Sequence, residues 1–132
     1  MIIYSSPLAE LIKHRDASML HLIWKPDSRL GSDADVRNEF DLLLGFVNEH
    51  KPILLCSDST HYPFHGNMEM QNWLDFEYLP RLGTAGIKAF AVVAEPSAVD
   101  EFNDEKGGLF SIPEVRYFVN HDEASEWLET FQ

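Results

Sequence analysis

The strongest constraint on the fold is a run of six residues without a polar side chain. This run, Ala89-Phe90-Ala91-Val92-Val93-Ala94, is apolar at every position, and Ile53-Leu54-Leu55-Cys56 repeats the pattern earlier in the chain. Strands that are apolar on both faces are typical of a parallel sheet covered by helices. The two runs therefore predict an α/β fold, with Ile87 to Ala94 as the central strand.

Alternating apolar residues predict an antiparallel hairpin near the N-terminus. Glu10 to Arg15 and Met19 to Trp24 flank a three-residue loop of Asp16, Ala17 and Ser18. Short apolar segments at Ile2 to Tyr4 and Val115 to Val119 are further strand candidates. The pattern predicts a mixed, mostly parallel sheet of four to five strands.

About four helices are predicted from capping residues followed by apolar residues at helical spacing. Pro80 is expected to kink or end the second helix, because proline lacks the amide hydrogen. The segment from Asn103 to Pro113 is expected to be a long irregular loop. The predicted helices start at Ser32 with Asp35, run from Asn67 to Leu79, start at Ser97 with Asp100 and extend through Phe102, and start at Asn120 with Glu123.

Composition limits the class of protein. A chain of 132 residues is the length of one domain, so residues 1–132 are predicted to form a single unit. The lone Cys56 permits no internal disulfide, which favours a reducing, cytoplasmic setting. With 10 basic and 22 acidic side chains the net charge is −12, which disfavours nucleic acid and anionic membranes as partners.

Motifs of common enzymes are missing from the sequence. The glycines form neither a dinucleotide-binding G-x-G-x-x-G nor a P-loop, and neither G-x-S-x-G nor H-E-x-x-H occurs. A phosphoacceptor receiver domain would need an acidic pair and a lysine where this chain has Lys25-Pro26 and Asn120. We therefore expect a non-enzymatic protein without a cofactor.

Polar residues after the strand at residues 53–56 are the best candidates for a site, because ligands of open α/β sheets bind beyond the carboxyl ends of the strands. Asp58, His61 and His65 have a spacing that could bring two imidazoles and a carboxylate onto Zn²⁺. The alternative is a polar loop in which Asp58 accepts backbone amides, and we expect no bound metal. Cys56 and the three tryptophans are interpreted as core residues. The candidate binding residues are Asp58, Ser59, Thr60, His61, His65, Asn67 and Trp73.

The chain resembles small bacterial proteins of the SpoIIAA-like fold, which are grouped with STAS and Sec14-type domains. The resemblance rests on residues spread over most of the chain: Trp24, Asp58, Trp73, Leu79-Pro80-Arg81-Leu82, Gly86-Ile87-Lys88-Ala89, Val92-Val93, Glu123-Ala124 and Trp127-Leu128. In anti-sigma-factor antagonists of this fold, a serine at a helix start is phosphorylated to switch partner binding. The corresponding turn here is His65-Gly66-Asn67-Met68, which has no hydroxyl group.

Three functions from different classes fit the sequence. The resemblance and the missing catalytic motifs favour a cytosolic interaction or regulatory module that forms a homodimer and has an unknown protein partner. A second reading is a protein that binds a small, lipid-like ligand in a cleft near Asp58 and Trp73. The third is a metal-dependent hydrolase that uses the loop at residues 58–65.

Overall fold

The described strands form one mixed sheet of six strands. The structure is a computed structural model that describes residues 1–14, 18–64, 67–100 and 113–131. Strands β1 to β3 are antiparallel neighbours, and β3 to β6 are parallel. The α/β class, the mixed sheet and its antiparallel N-terminal part are confirmed, but the predicted count of four to five strands is too low. In the order of the sheet, which is also the order of the chain, the strands are β1 (Ile2–Ser5), β2 (Ala9–Lys13), β3 (Met19–Trp24), β4 (Leu54–Asp58), β5 (Ala89–Val93) and β6 (Glu114–Phe118).

Three helices start at side-chain caps, and the sequence predicts two of these caps, Ser32 and Asn120. Ser32 and Asp35 form a reciprocal capping box at the start of α1 (Asp33–His50). The side chain of Asn67 accepts the Met70 amide at 2.9 Å at the start of α2 (Met68–Trp73). Asn120 accepts the Glu123 amide at 2.9 Å at the start of the last helix. These caps satisfy amides that have no partner within their helix.

The helical region continues past Pro80. After α2 the chain passes through a π-helical turn (Leu74–Tyr78) into α3 (Leu79–Thr84), and Pro80 lies in the first turn of α3. The first turn of a helix tolerates proline because its amide would have no helical partner. The π-helical turn places the Leu79 amide on the Leu74 carbonyl, which shifts the hydrogen-bond pattern ahead of the proline. Pro80 thus marks a change of helix type and does not end the helix.

A further helical turn at residues 96–100 starts two residues earlier than the predicted Ser97 cap implies. The amides of Ala98 and Val99 donate to the Glu95 carbonyl at 3.0 and 3.1 Å, so Ser97 lies inside the helix and does not cap it. Pro96 at the first helical position is the signal that was missed. The predicted extension through Phe102 lies outside the described residues, as do residues 103–112 of the predicted loop and residues 15–17 of the hairpin turn.

The two faces of the sheet are covered differently. Helices α1 to α3 pack on one face, where Trp24, Phe40 and Leu55 belong to the main core. The last helix, α4 (His121–Glu129), packs Ala124 and Leu128 on the other face. All five residues of β5 are buried between these layers, yet β5 is second from the edge, and β3 and β4 form the middle pair. We call the face under α4 the second face.

Two buried polar side chains attach loops to the core. Ser28 is fully buried in a 3-10 helix (Pro26–Leu30), and its hydroxyl donates to the His61 carbonyl at 2.9 Å. Glu39 in α1 accepts hydrogen bonds from Ser6 and Tyr4 at 2.8 and 3.1 Å. The loop after β4 is thereby held against the rest of the protein.

No helix in the described ranges is long and apolar enough to cross a membrane.

Candidate functional site

The carboxyl ends of the four parallel strands lie along one edge of the sheet. Ile23, Asp58, Val93 and Phe118 are in register there. The chain stays paired just beyond this edge, because the Ser59 amide donates to the Val93 carbonyl at 2.8 Å and a similar bond joins the next pair of strands. Ser59 therefore extends the pairing of β4 with β5 by one residue.

An apolar pocket lies at this edge, between the main-core face of the sheet and the helical region at residues 68–84. It encloses about 490 Å³, part of it open to solvent. Rings form much of its wall: Trp24 lies 5.2 Å from both Phe40 and Tyr62, measured between ring centroids. The residues that line the pocket are Trp24, Phe40, Ser59, Tyr62, Gln71, Leu74, Leu79, Phe90, Val92, Val115 and Tyr117.

A few polar groups are set into this apolar wall. The buried Ser59 hydroxyl lies 2.7 Å from the Ser57 hydroxyl, and the Gln71 amide nitrogen donates to Asp75 at 3.0 Å. Burial raises the pKa of Tyr62 and that of Tyr117, so both phenols are neutral at physiological pH. The wall offers hydrogen-bonding groups but no charged side chain among the residues that line it.

The structure separates the candidate residues that the sequence grouped together. Ser59 lines the pocket. Trp73 packs beside the wall, 6.0 Å from the Phe40 ring, with the Arg37 guanidinium 5.0 Å above it. Asn67 is the cap of α2. The His61 carbonyl accepts from Ser28, and His65 lies outside the described residues.

Asp58 lies on the second face, away from the pocket. Its carboxylate accepts the Thr60 amide at 3.2 Å and approaches Nε2 of His121 at 3.3 Å. Burial alone would raise the pKa of Asp58, but the hydrogen bonds from Thr60 and His121 outweigh it and lower the pKa. The expected backbone bond from the following loop is present, whereas the capping of the next helix falls to Asn67. The histidine partner of Asp58 comes from a distant part of the chain and was not predicted.

A group of histidines and Cys56 lies beside Asp58 on the second face. One ligand atom from each of His21, Cys56 and His121 lies within 4.8 Å of the others. His14 stacks on His21 with a ring separation of 6.1 Å. Burial raises the pKa of the Cys56 thiol to about 12, and burial, together with the neighbouring histidines, lowers the pKa of His21. At neutral pH the thiol is protonated and His21 is uncharged.

Side chains alternate between the two faces along β3, and this alternation was the sequence signal that could have located the histidine and cysteine group. Leu20, Leu22 and Trp24 are buried in the main core, so His21 must face the opposite side. Cys56 is in register with His21 on the neighbouring strand. Interpreting Cys56 as a core residue was right about its burial but left out its neighbours.

Comparison with known protein families, curated proteins and solved structures finds no match to this chain.

Proposed function

We propose that this protein is a non-enzymatic binding module that takes up a small, uncharged, mostly apolar molecule in the pocket between the sheet and the helices. The observation that carries the proposal is the pocket itself, with its wall of aromatic rings. This proposal develops the sequence-based reading of a small-ligand binder and moves its cleft away from Asp58.

The chemistry of the wall restricts the ligand. No charged side chain lines the pocket in the part of the chain that the structure describes, so a phosphate or carboxylate buried there would lack a counterion. Aromatic walls favour flat rings or short hydrocarbon groups. Ser59 and Gln71 supply one or two hydrogen bonds that would fix its orientation. The proposed ligand is therefore an aromatic or short-chain apolar molecule with one neutral polar group.

The pocket can be tested by titrating indole into protein with labelled methyl groups and recording NMR spectra. We expect saturable shifts for the methyl groups of Leu74 and Val92, which line the pocket. The methyl groups of Leu54 and Leu128, which pack on the second face, serve as the internal control and should not shift. Absence of saturable shifts, or shifts of equal size on both faces, would contradict the proposal.

A matched pair of variants tests the position of the ligand. Val115→Trp places a large ring at the pocket wall on the edge strand β6 and should abolish the indole-induced shifts. Val119→Trp introduces the same ring at a site that is 47% exposed, just beyond β6, and should bind indole like the wild type. Circular dichroism of both variants checks that they fold. Binding that survives Val115→Trp in a folded protein would exclude this pocket.

Several sequence-based expectations stay proposals beside this one. We retain kinship with SpoIIAA-like and STAS domains, a cytoplasmic location, a homodimer, an unidentified protein partner, and no binding of nucleic acid. The support for the last is the net charge of −12, which repels a polyanion. Binding of the purified protein to duplex DNA at physiological salt would overturn that expectation.

A further inference from the structure

The second face carries a group of metal-ligating side chains that the pocket does not involve. His21 is on β3, Cys56 is on β4, and His121 is the first residue of α4. Each contributes one nitrogen or sulfur atom, and these three atoms lie within 4.8 Å of one another. Three segments that are far apart in the sequence thus meet at one point.

The fold fixes this meeting point firmly. His21 and Cys56 are directly opposite in the parallel ladder between β3 and β4, so their side chains leave the sheet side by side. The Asn120 cap sets the start of α4 and thereby the position of His121. The rings of His21 and His121 meet edge to face, with centroids 5.5 Å apart.

Two imidazole nitrogens beside this point have no hydrogen-bond partner. Nε2 of His21 and Nε2 of His14 are both shielded from solvent, and neither finds a donor or acceptor among the described residues. A buried polar atom without a partner is energetically unfavourable and calls for an explanation. A bound ion would supply the missing interaction for His21.

We propose that His21, Cys56 and His121 bind a divalent zinc ion, with Asp58 as a positioning residue that holds the His121 ring. Nitrogen and thiolate ligands around tetrahedral zinc stand about 3.3 to 3.6 Å apart, given Zn–N and Zn–S bonds of about 2.0–2.1 and 2.3 Å. The observed spacing of up to 4.8 Å is wider, so the ligand atoms must move by about 1 Å to bind the ion. The His121 side chain is 47% exposed at a helix start and has room to make them.

Asp58 fits the outer position of such a site. A histidine that binds zinc through one ring nitrogen usually donates its other N–H to a carboxylate, and Asp58 lies 3.3 Å from Nε2 of His121. In that arrangement Nδ1 of His121 is the nitrogen that faces the ion. The charges also balance, because one thiolate and one carboxylate neutralise Zn²⁺, which reduces the cost of placing charge at a half-buried site.

Three protein ligands leave one position of the ion open. The exposure of His121 places that position toward solvent, where water or a small anion can complete the tetrahedron. This arrangement differs from closed structural zinc sites, which use four protein ligands. It also differs from the site expected on the loop at residues 58–65: it keeps Asp58 and replaces His61 and His65 with residues from other elements. The proposal departs from the sequence-based expectation of no metal.

Cobalt titration of the protein, purified without added metal and stripped with a chelator, provides the test. We expect one equivalent of Co²⁺ to produce thiolate-to-cobalt charge-transfer absorption in the near ultraviolet, together with visible bands of tetrahedral intensity. One equivalent of Zn²⁺ should displace the cobalt and abolish both. A protein that gives no cobalt absorption and whose melting temperature is unaffected by zinc would overturn the proposal.

Variants assign the ligands and separate this site from the loop. Cys56→Ala should remove the charge-transfer band, and His121→Ala should weaken zinc binding by more than the roughly 10- to 100-fold that loss of an outer partner costs. Asp58→Asn should weaken binding within that range while the band remains. His61→Ala is the matched control and should bind cobalt like the wild type.

Two results would assign the metal elsewhere. An unchanged band in Cys56→Ala would exclude the thiolate, and loss of binding in His61→Ala would return the site to the loop. If Cys56→Ala fails to fold, the half-exposed His121→Ala still decides the question, because zinc should no longer raise its melting temperature. The pocket is on the opposite face, so indole binding should be the same with and without zinc.

Discussion

At the scale of single residues, Tyr78 joins the helices to one another. Its side chain is 2% exposed, and its hydroxyl donates to the Phe40 carbonyl in α1. Its ring lies 5.1 Å from Phe40 and 5.3 Å from Trp73. Burial raises the pKa of Tyr78 well above its ordinary value, because the phenolate would lose its hydration. The π-helical turn that ends at Tyr78 is therefore anchored to α1 by a side chain that must stay neutral.

Alkaline pH should unfold the protein through its tyrosines. The chain has four of them, Tyr4, Tyr62, Tyr78 and Tyr117, and burial raises the pKa of each above the ordinary value near 10. The folded protein then holds protons that the unfolded chain releases. Stability is therefore unaffected by these groups below about pH 10 and falls as the pH rises further.

The measurement is a pH titration that follows tyrosinate absorbance and far-ultraviolet circular dichroism in the same samples. We expect the ionisation of Tyr62, Tyr78 and Tyr117 to coincide with the loss of dichroism, since these buried phenols ionise only when the core opens. The variant Tyr4→Phe, which removes the least buried of the four, should leave this coincidence intact. Tyrosinate absorbance with a midpoint near 10 in a protein that keeps its dichroism would show that the rings are accessible.

At the scale of elements, replacing two glycines by alanine should change the stability of the protein in opposite directions. Gly45 lies exposed in the middle of α1, and a methyl group there would meet no atom within 4 Å. Gly45→Ala should raise the free energy of unfolding by about 0.5–1 kcal/mol, because alanine favours the helix. Gly86 has a φ of 109°, which an alanine rarely adopts. Gly86→Ala should therefore lower the free energy of unfolding.

Urea unfolding of the two variants and the wild type, followed by circular dichroism, tests this pair. We expect the midpoint of Gly45→Ala to rise and that of Gly86→Ala to fall, with unchanged slopes. A stabilised Gly86→Ala would mean that the turn before β5 adopts another backbone conformation. An unstable Gly45→Ala would mean that this face of α1 is covered by a partner.

The elements were predictable because their signals are local. The caps at Ser32 and Asn120 and the apolar run of β5 depend on residues close in sequence and are found at the predicted residues, although β5 is not the central strand. The cap of α2 was expected from Asp58 and comes instead from Asn67. The continuation of the helix past Pro80 was harder to predict, because a π-helical turn gives little local signal in the sequence. The group of His21, Cys56 and His121 needed the order of the strands, which is set by contacts between distant segments.

The composition of the pocket was not predicted from the sequence. The carboxyl edge of the sheet was expected to carry the site, and Ser59 does line the pocket. The aromatic wall draws on β3, α1 and β6 as well, and no pattern within one segment joins Trp24 to Tyr117. Asp58 was assigned to the same cleft as Trp73, but successive residues of a strand point to opposite faces, so Asp58 and Ser59 lie on different sides of the sheet.

At the scale of the whole molecule, the sheet has two edges of different character. The edge strand β6 carries the charged residues Glu114 and Arg116, which discourage pairing with another strand. The other edge strand, β1, begins with apolar residues, and Ile2 is 58% exposed. Acidic surfaces repel each other, but at physiological salt the Debye length of about 8 Å limits that repulsion to close contacts. The β1 edge is therefore the better surface for self-association.

We expect the protein to form a symmetric dimer through the β1 edge, since pairing satisfies backbone groups and buries Ile2. Sedimentation equilibrium over a wide concentration range should give twice the chain mass of 15.1 kDa. Ile2→Lys should shift the protein toward the monomer, because a lysine on an edge strand opposes pairing. Leu30→Lys adds the same charge at an 85% exposed residue of the 3-10 helix and should leave the dimer unchanged. A 15.1 kDa species at every concentration would rule out the dimer, and equal effects of the two variants would place the interface elsewhere.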